Sequence, residues 1–561
     1  MKLKPMGKIL LVLVVAGAAA GAYFGFFHES TTETATATAP ATATATTTQP
    51  AAVTPTTTPG AVAGVQAPAA IKPTGVQPKT HYKVALSQWP GHMAGIIACG
   101  GLTTQPGSIC AKEGIQLEFV FIEEPDKKNA ALQSGEVDFT WQVVDEMPLN
   151  MPGYARSGVE AQAFVQIDWS RGGDACVAAA NVKTPRDLLA SRGAAMMKFS
   201  PDHTVYEFWI NNSDLNPQEV RQLRQQTKFS MDSWEFGRNL FCQKQVDVAC
   251  LWEPDVTLAL ECRPGAHRVF STKDADTLVA DVLLGKKDFL QQQPEIARKV
   301  AKIFMEGAKL GTADKPAAAR LISTVVPRFR DELKYEGTLK ALNWVRWNDL
   351  GDNTSFFGLG GTAPLFDTVY KQADSIWSEY TEPDGTPVLS QRFSAHGLRT
   401  AAIVKPLYDA EMARRQQVAA SSGVAAVPVA AAKPVYNPQV AKTAAPKLVK
   451  PVSIHFDTGA YAIDTQSRSI LKRQVLPQLM LATAMSIRVE GNTDDVGSDS
   501  GNKTLSGKRA QAVVDYLISQ GIDPARIAAQ GNGEDNPLCD LKTPDCRSRN
   551  RRTEILFVSA N

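Results

Sequence analysis

Apolar and polar positions fall into distinct regimes along the chain. Ile9 to Phe27 is an unbroken apolar run of nineteen residues. As a helix it measures ~28 Å, about the thickness of a bilayer's hydrocarbon core. From Tyr82 to about Tyr408, strand-length apolar runs alternate with amphipathic runs of helical period, the pattern of an α/β architecture. Lys83–Ser87, Gln116–Ile122, Val137–Thr140, Ala161–Asp168 and Gln245–Leu251 predict strands. Asn129–Gly135 predicts a helix stopped by glycine, and Pro294 to Gly311 one with an apolar stripe at Ile296, Val300, Ile303 and Phe304. From Val452 onward the pattern predicts strand 452–456, helix 465–482, strand 486–490, helix 502–520 and strands 526–530 and 553–558, a βαβαββ sandwich.

Two stretches break this alternation. Glu29 to Thr80 is Thr, Ala, Pro and Val with few large apolar residues, too little to offset the entropy of ordering. Residues 411–450 shift again toward Ala, Val, Pro and Lys. Both read as linkers. The expected organisation is an anchor or signal segment at 1–28, a linker at 29–80, a globular region at 81–410, a second linker at 411–450 and a smaller domain at 451–561.

Lys2, Lys4 and Lys8 precede the first apolar run and place that end on the cytoplasmic side. The small residues Gly17–Ala20 offer a cleavage site, whereas Tyr23, Phe24, Phe26 and Phe27 favour an uncleaved anchor in the inner membrane. No cysteine precedes Cys99, which argues against a lipoprotein anchor. Either way the bulk of the chain is expected in the periplasm, where disulfides form. Of eight cysteines, Cys539 and Cys546 close a short loop and are the first expected pair, with Cys99–Cys110 next by proximity. For Cys176, Cys242, Cys250 and Cys262, bridges and free thiols stay open.

The formal net charge of +2 and the absence of a dense basic patch argue against a nucleic-acid partner. Seven scattered histidines give no zinc spacing, so no metal or cofactor is expected. No nucleophile elbow or phosphate-binding glycine loop occurs, and no catalytic residues are assigned.

The sharpest motif is Gly491-Asn-Thr-Asp-Asp-Val-Gly497, followed by Asn502, Leu505-Ser506, Lys508-Arg509-Ala510 and Asn550-Arg551-Arg552. It sets Asp494 and Arg509 fifteen residues apart, near the ends of a strand and a helix. Opposite fixed charges in one pocket suit a zwitterion, a carboxylate on the guanidinium and an ammonium on the carboxylate. From Val452 to Val558 the pattern resembles the OmpA-like peptidoglycan-binding domain, whose ligand is the diaminopimelate of the wall peptide. The resemblance implies that Asp494 and Arg509 hold this ligand, with Thr493, Asn502 and Arg552 as further contacts and Arg551 as readily a surface residue.

Four segments of the large region resemble periplasmic solute-binding proteins of the nitrate, sulfonate and taurine type. They are Ser87-Gln-Trp-Pro-Gly-His92, Ala130-Ala-Leu-Gln-Ser-Gly-Glu-Val-Asp-Phe139, Asp168-Trp-Ser-Arg-Gly-Gly-Asp174 and Val246-Asp-Val-Ala-Cys-Leu-Trp-Glu-Pro254. The resemblance implies two α/β lobes closing over a small solute, with an inner-membrane ABC permease as a candidate partner. Trp89 and Trp252 follow strand ends, where open sheets place ligands. Ser170 and Gly173 lie at the crossing between lobes. Ser200, His203 and Thr204 open a helical run, which favours an anion. Glu253 completes the candidate set. The resulting expectation is an envelope protein of a Gram-negative-type cell that grips the wall and binds an anionic solute. The alternative is a membrane-to-wall tether whose central domain is a spacer. A flagellar stator subunit would need a carboxylate in its membrane helix, and Ile9–Phe27 has none.

Overall fold

The computed structural model describes residues 79 to 559, apart from 232, 234, 383, 424, 433, 453, 455 and 457–459. The expected anchor and nearly all of the first linker lie outside the described residues. Among the described residues no helix is long and apolar enough to cross a membrane.

The chain builds β1 (His81–Leu86), β2 (Gln116–Phe121), β3 (Phe139–Val143) and β4 (Ala161–Ser170) into one sheet. It then crosses to a second sheet made of β5 (Asp174–Ala178), β6 (Ala194–Met197), β7 (Lys228–Ser230), β8 (Val248–Trp252) and β9 (His267–Ser271). It returns to the first through β10 (Ala280–Lys286) and β11 (Val345–Trp347). The strand orders are β11-β4-β10-β3-β1-β2 and β7-β6-β8-β5-β9. β1 pairs in parallel with β2 and β3, as strand–helix–strand crossovers require, while β10 runs antiparallel between β3 and β4. The chain therefore passes between the sheets at 171–173 and again at 272–279, which makes two α/β lobes joined by two straps.

The inner strands β3, β4, β5, β8 and β10 are buried on both faces, and their near-continuous apolar runs reflect that. Inside two such runs stand buried carboxylates, Asp168 in β4 and Asp281 in β10, directly opposite each other in register. The helix Pro294–Ala313 buries Val300, Ile303 and Phe304 of the expected stripe and leaves Ile296 half-buried.

All eight cysteines are bridged, as Cys99–Cys110, Cys176–Cys250, Cys242–Cys262 and Cys539–Cys546. The four left open by the sequence are thus paired. Cys176 and Cys250 are cross-strand partners in β5 and β8, seventy-four residues apart in sequence, a register that local spacing does not encode.

The C-terminal region forms a four-stranded sheet of β12 (Pro446–Val452), β13 (Ser486–Asn492), β14 (Ile527–Gly533) and β15 (Thr553–Val558), in the order β12-β15-β13-β14. The first strand precedes its expected position at 452–456, because Lys450 and Val452 pair with Ile555 and Thr553 of the last strand. A short helix, Pro544–Asn550, stands in the segment that the Cys539–Cys546 bridge closes; Thr543 caps it and the bridge ties it back. The stretch expected as a second linker holds the end of helix Lys405–Ser422, which buries none of its residues, the helix Pro438–Thr443 and most of β12. Its alanines suit an exposed helix as well as a linker.

The C-terminal sheet's helical side is held against the second strap. Asp276 accepts from the Thr483 hydroxyl at 2.8 Å and from the Ala484 N–H at 2.7 Å, and the Thr277 hydroxyl donates to the Met480 carbonyl. Lys450 donates to the Asn211 carbonyl and to Asn212 Oδ1, and burial pulls its ammonium down to about 8.

Candidate functional site

A cavity of about 820 Å³ is lined by residues from both lobes. Trp89, Trp141 and Trp344 supply aromatic wall on the side of the first sheet, and Met197, Trp252 and Leu258 on the side of the second. Trp89 is fixed by donating its indole N–H to Asp168 Oδ2 at 2.9 Å. Two glycines make this possible. A Cβ on Gly91 would fall 1.8 Å from Asp168 Oδ2, and one on Gly173 would fall 2.3 Å from Trp89 Cη2. Gly173 thus serves the packing of Trp89 rather than a ligand's approach.

The floor of the cavity concentrates carboxylates. One ligand atom each from His92, Asp168 and Asp281 lies within 4.8 Å of the other two. Asp174 and Glu146 also line the cavity, and Asp145 and Asp202 are buried close by. Burial, reinforced by Asp281, pushes the Asp168 carboxyl well above the usual carboxylate range. Burial raises Asp281 to about 8 and Asp145 to about 6. Burial, then Asp174 and Asp255, raises Asp202 as well. His92 is pushed down to about 4 by its own burial and is neutral. Its Nδ1 accepts from the Ser87 backbone N–H at 3.1 Å, so the ring proton sits on Nε2, which faces Asp281 Oδ1 at 3.2 Å. That tautomer leaves a metal ion no imidazole lone pair at Nε2. The residues therefore suit a hydrogen-bonding or cationic organic ligand better than a resident metal.

Of the residues singled out in the sequence, Trp89, Ser200, Trp252 and Glu253 line the cavity; Ser170, Gly173, His203 and Thr204 do not. The Ser170 hydroxyl meets Thr272 Oγ1 at 2.9 Å and ties the two straps together. His203 is fully buried among Phe199, Phe229, Trp377 and Tyr380, with Nε2 2.8 Å from the Tyr380 hydroxyl. The Thr204 hydroxyl donates to Asp145 Oδ2 at 2.6 Å. Ser200 caps the helix Pro201–Asn211 and donates to the Met197 carbonyl. Glu253 is ion-paired with Arg268. The hydroxyls that suggested an anion are thus spent within the protein, and the floor is acidic. That helix start therefore no longer argues for an anionic solute. Asp168 and Asp281 carried a readable sign, a carboxylate inside a largely apolar strand.

In the C-terminal domain β13 delivers the motif loop and the helix Asp499–Ser519 delivers Arg509. The strand lies close against the helix, since a Cβ on Gly491 would stand 2.4 Å from the Ser506 carbonyl oxygen. Gly491→Ala is therefore expected to cost this domain about 1–3 kcal/mol through overpacking, read as a lower melting midpoint for its transition.

Asp494 and Arg509 are both 9% exposed. Arg509 donates from Nε to the Ala460 carbonyl at 3.1 Å, and its guanidinium carbon lies 5.0 Å from the Phe456 ring. Burial and then the Arg551 guanidinium lower Arg509 from its ordinary value, while Asp494 acts in the opposite direction; the three charges share one neighbourhood. Asp494 Oδ2 accepts from Arg551 Nη1 at 2.6 Å, and its Oδ1 from the Val496 N–H. Arg551, expected as readily at the surface, is thus the partner of the motif carboxylate. Arg552 instead pairs with Glu554 at 2.7 Å and donates to the Asn536 carbonyl. Asn502 donates to the Asp494 carbonyl and to Glu534, bracing the loop. The Thr493 hydroxyl is buried without a hydrogen-bond partner. A shallower cavity of about 420 Å³ beside the helix, lined by Tyr461, Thr504 and Lys508 among others, includes neither Asp494 nor Arg509.

Residues 455–551 match the OmpA family model and form an OmpA-family domain. Outer membrane protein A of Bordetella avium is 39% identical over 116 residues, which is 21% of this chain and 59% of that protein. Outer membrane protein A of Salmonella typhi is 41% identical over 119 residues, 18% of this chain and 34% of that protein. The chain thus spans between a third and three-fifths of the length of these relatives. Among solved structures, the periplasmic aliphatic sulphonate binding protein SsuA of Escherichia coli aligns with 57% of this chain and 92% of its own, at 13% identity and a TM-score of 0.42.

Proposed function

With an OmpA-family domain at its C-terminal end, the chain acts, we propose, as an envelope protein that grips peptidoglycan and binds a small organic solute between its two central lobes. The observation that carries this reading is the cavity of about 820 Å³ shared by both lobes, with ionisable groups kept buried at its floor. Burying carboxyls away from water is costly, and a spacer has no use for them. A bound solute would stabilise the closed arrangement through contacts made to both lobes at once.

Wall binding rests on Asp494 and Arg509. In this reading Arg509 takes the carboxylate of the diaminopimelate centre and Asp494 its ammonium. Arg551 is half-exposed and yields its place on Asp494 to the incoming ammonium. Thr493 offers its unpartnered hydroxyl, and Asn502 holds the loop in shape. The N-terminal apolar run would anchor the chain in the inner membrane, and the two attachments would keep the solute domain in the periplasm beside a permease or a sensor. No catalytic step is assigned.

The test is capture of the full chain by purified sacculi. Arg509→Ala is expected to lower capture at least tenfold while leaving the melting profile of the central lobes unchanged. Undiminished capture would reject the wall-binding assignment.

A further inference from the structure

We propose that the cleft takes an organic cation, a solute whose ammonium group seats on Asp281 of the floor, next to the buried Asp168, beside Trp89 and Trp141. This deepens the solute-binding reading above and rests on it.

The charge balance of the lining points this way. Asp281, Asp174 and Glu146 all line the cavity, and none is ion-paired to lysine or arginine among the described residues. The two arginines of the lining are already committed, Arg238 to Asp255 and Arg328 to Glu332. Lys128, buried nearby, does not line the cavity; its Nζ donates to the Trp141 carbonyl and to Gln142 Oε1. Further out, Glu123, Glu124 and Asp126 stand exposed at the cavity wall, and Asp331 joins them across it. An anion entering here would meet carboxylates at every depth.

A second, independent observation is hydrogen-bonding capacity left open at the floor. Asp168 is fully buried beside Asp281 in register, yet its Oδ1 has no hydrogen-bond partner. A buried acceptor without a donor costs roughly 1–3 kcal/mol, more when charged, and an ammonium with three N–H groups supplies what is missing. The walls fit the rest of such a solute. Tryptophan faces attract an ammonium and pack against the methylenes that carry it. A bare metal ion fits poorly, because the Ser87 N–H holds Nδ1 of His92 as an acceptor and keeps the proton on Nε2.

The pH dependence follows from the groups that face the floor pair, namely His92, Lys128, Asp145, Glu146, Asp174 and Asp202. Burial leaves the pair partly protonated near neutrality, with Asp281 raised to about 8. Only the ionised floor holds a cation well. Affinity is therefore expected to rise as pH goes from 6 to 8.5, and binding near pH 7 is expected to release a proton to solvent. An anionic solute would show the opposite slope.

The experiment titrates the full chain with 1,4-diaminobutane, with isethionate, and with calcium or zinc chloride alone, read by tryptophan fluorescence and melting temperature. The expected result is a saturable response to the diamine that weakens at least tenfold in Asp281→Asn and strengthens with pH. Asp174→Asn, on the other lobe, is the second variant should Asp281→Asn melt early; sacculus capture reports that either variant is intact. A response to isethionate alone overturns the cation inference and leaves the solute-binding reading standing. A metal that saturates the site while the diamine does not bind assigns the floor to a metal and overturns the inference. Diamine affinity unchanged in both variants places the amine elsewhere, with the same consequence. Silence toward every probe removes the solute-binding reading together with the inference.

Discussion

Arg224→Ala is expected to destabilise the central domain by about 3–5 kcal/mol, the range found when one partner of a buried ion pair is removed. Glu207 is fully buried and accepts from Arg224 Nε at 3.0 Å and Nη2 at 2.6 Å. Arg224 also reaches Glu379 with Nη1 and lies over the Tyr380 ring at 5.3 Å. The Tyr380 hydroxyl donates to Glu207, and Asn211 Nδ2 donates to it at 2.8 Å. His203 completes the chain, since its Nδ1 accepts from the Phe199 N–H and its Nε2 proton points at Tyr380. Without Arg224 the Glu207 carboxylate keeps its neutral hydrogen-bond donors and loses its counter-charge. The deficit, measured by urea denaturation at pH 7.5, is expected to narrow when Glu207→Gln is combined with Arg224→Ala, because the orphan charge is then gone. An equal deficit with and without Glu207→Gln would show that Arg224 acts by packing and not by charge. This network also explains why a histidine at a helix start, attractive as a ligand contact, is a structural relay in this protein.

The second large effect is expected at the Cys176–Cys250 bridge. It closes a loop of seventy-four residues between neighbouring strands at the centre of the second lobe's sheet. Constraining a loop of that length in the unfolded chain corresponds to about 4 kcal/mol in the chain-entropy model. Replacing both cysteines with alanine is thus expected to lower that lobe's unfolding midpoint by well over ten degrees, on the basis of about 4–8 °C per kcal/mol for a domain of this class. Calorimetry checks it. Because Cys242–Cys262 remains, the lobe is expected still to fold at low temperature. A shift of only a degree or two would mean that the reduced chain already holds β5 and β8 together. The bridge also accounts for a strand pairing that apolar alternation alone leaves under-specified, since both strands are buried on both faces.

Much of the central fold was legible because its signals are local. The run Lys83–Ser87 predicted a strand where β1 lies, and the stripe on Pro294–Ala313 predicted a buried helix face. The second linker was misjudged for a local reason too. Alanine-rich segments without an apolar stripe fit a linker and an exposed helix equally well, and the helix Lys405–Ser422 buries nothing to tell them apart. The displaced first strand of the C-terminal sheet has a different cause. Pro446–Val452 carries two prolines and two lysines that read as linker, and it is a strand because β15 offers it an edge.

The sites divide along the same line. The Gly491–Gly497 motif and the helix bearing Arg509 were visible in sequence, because close strand–helix packing demands glycine at a fixed position and the charged pair stands fifteen residues apart. That Arg551, and not Arg552, meets Asp494 depends on how the turn after Pro544–Asn550 directs two neighbouring side chains. The sign of the solute cleft was beyond local reading altogether. Asp168 and Asp281 show as carboxylates within largely apolar strands, but nothing in either strand tells that the two meet, or that His92, Glu146 and Asp174 gather beside them in a chain whose net charge is +2. By itself, then, the sequence determined the alternation of elements, the cap and glycine positions and the two charges of the C-terminal motif, since each depends on residues within a turn or a strand of one another. Only the tertiary structure decided the pairing of Cys176, Cys242, Cys250 and Cys262, the cleft and its acidity, because the strand register and the field at a point depend on groups that sheet order brings together from far along the chain.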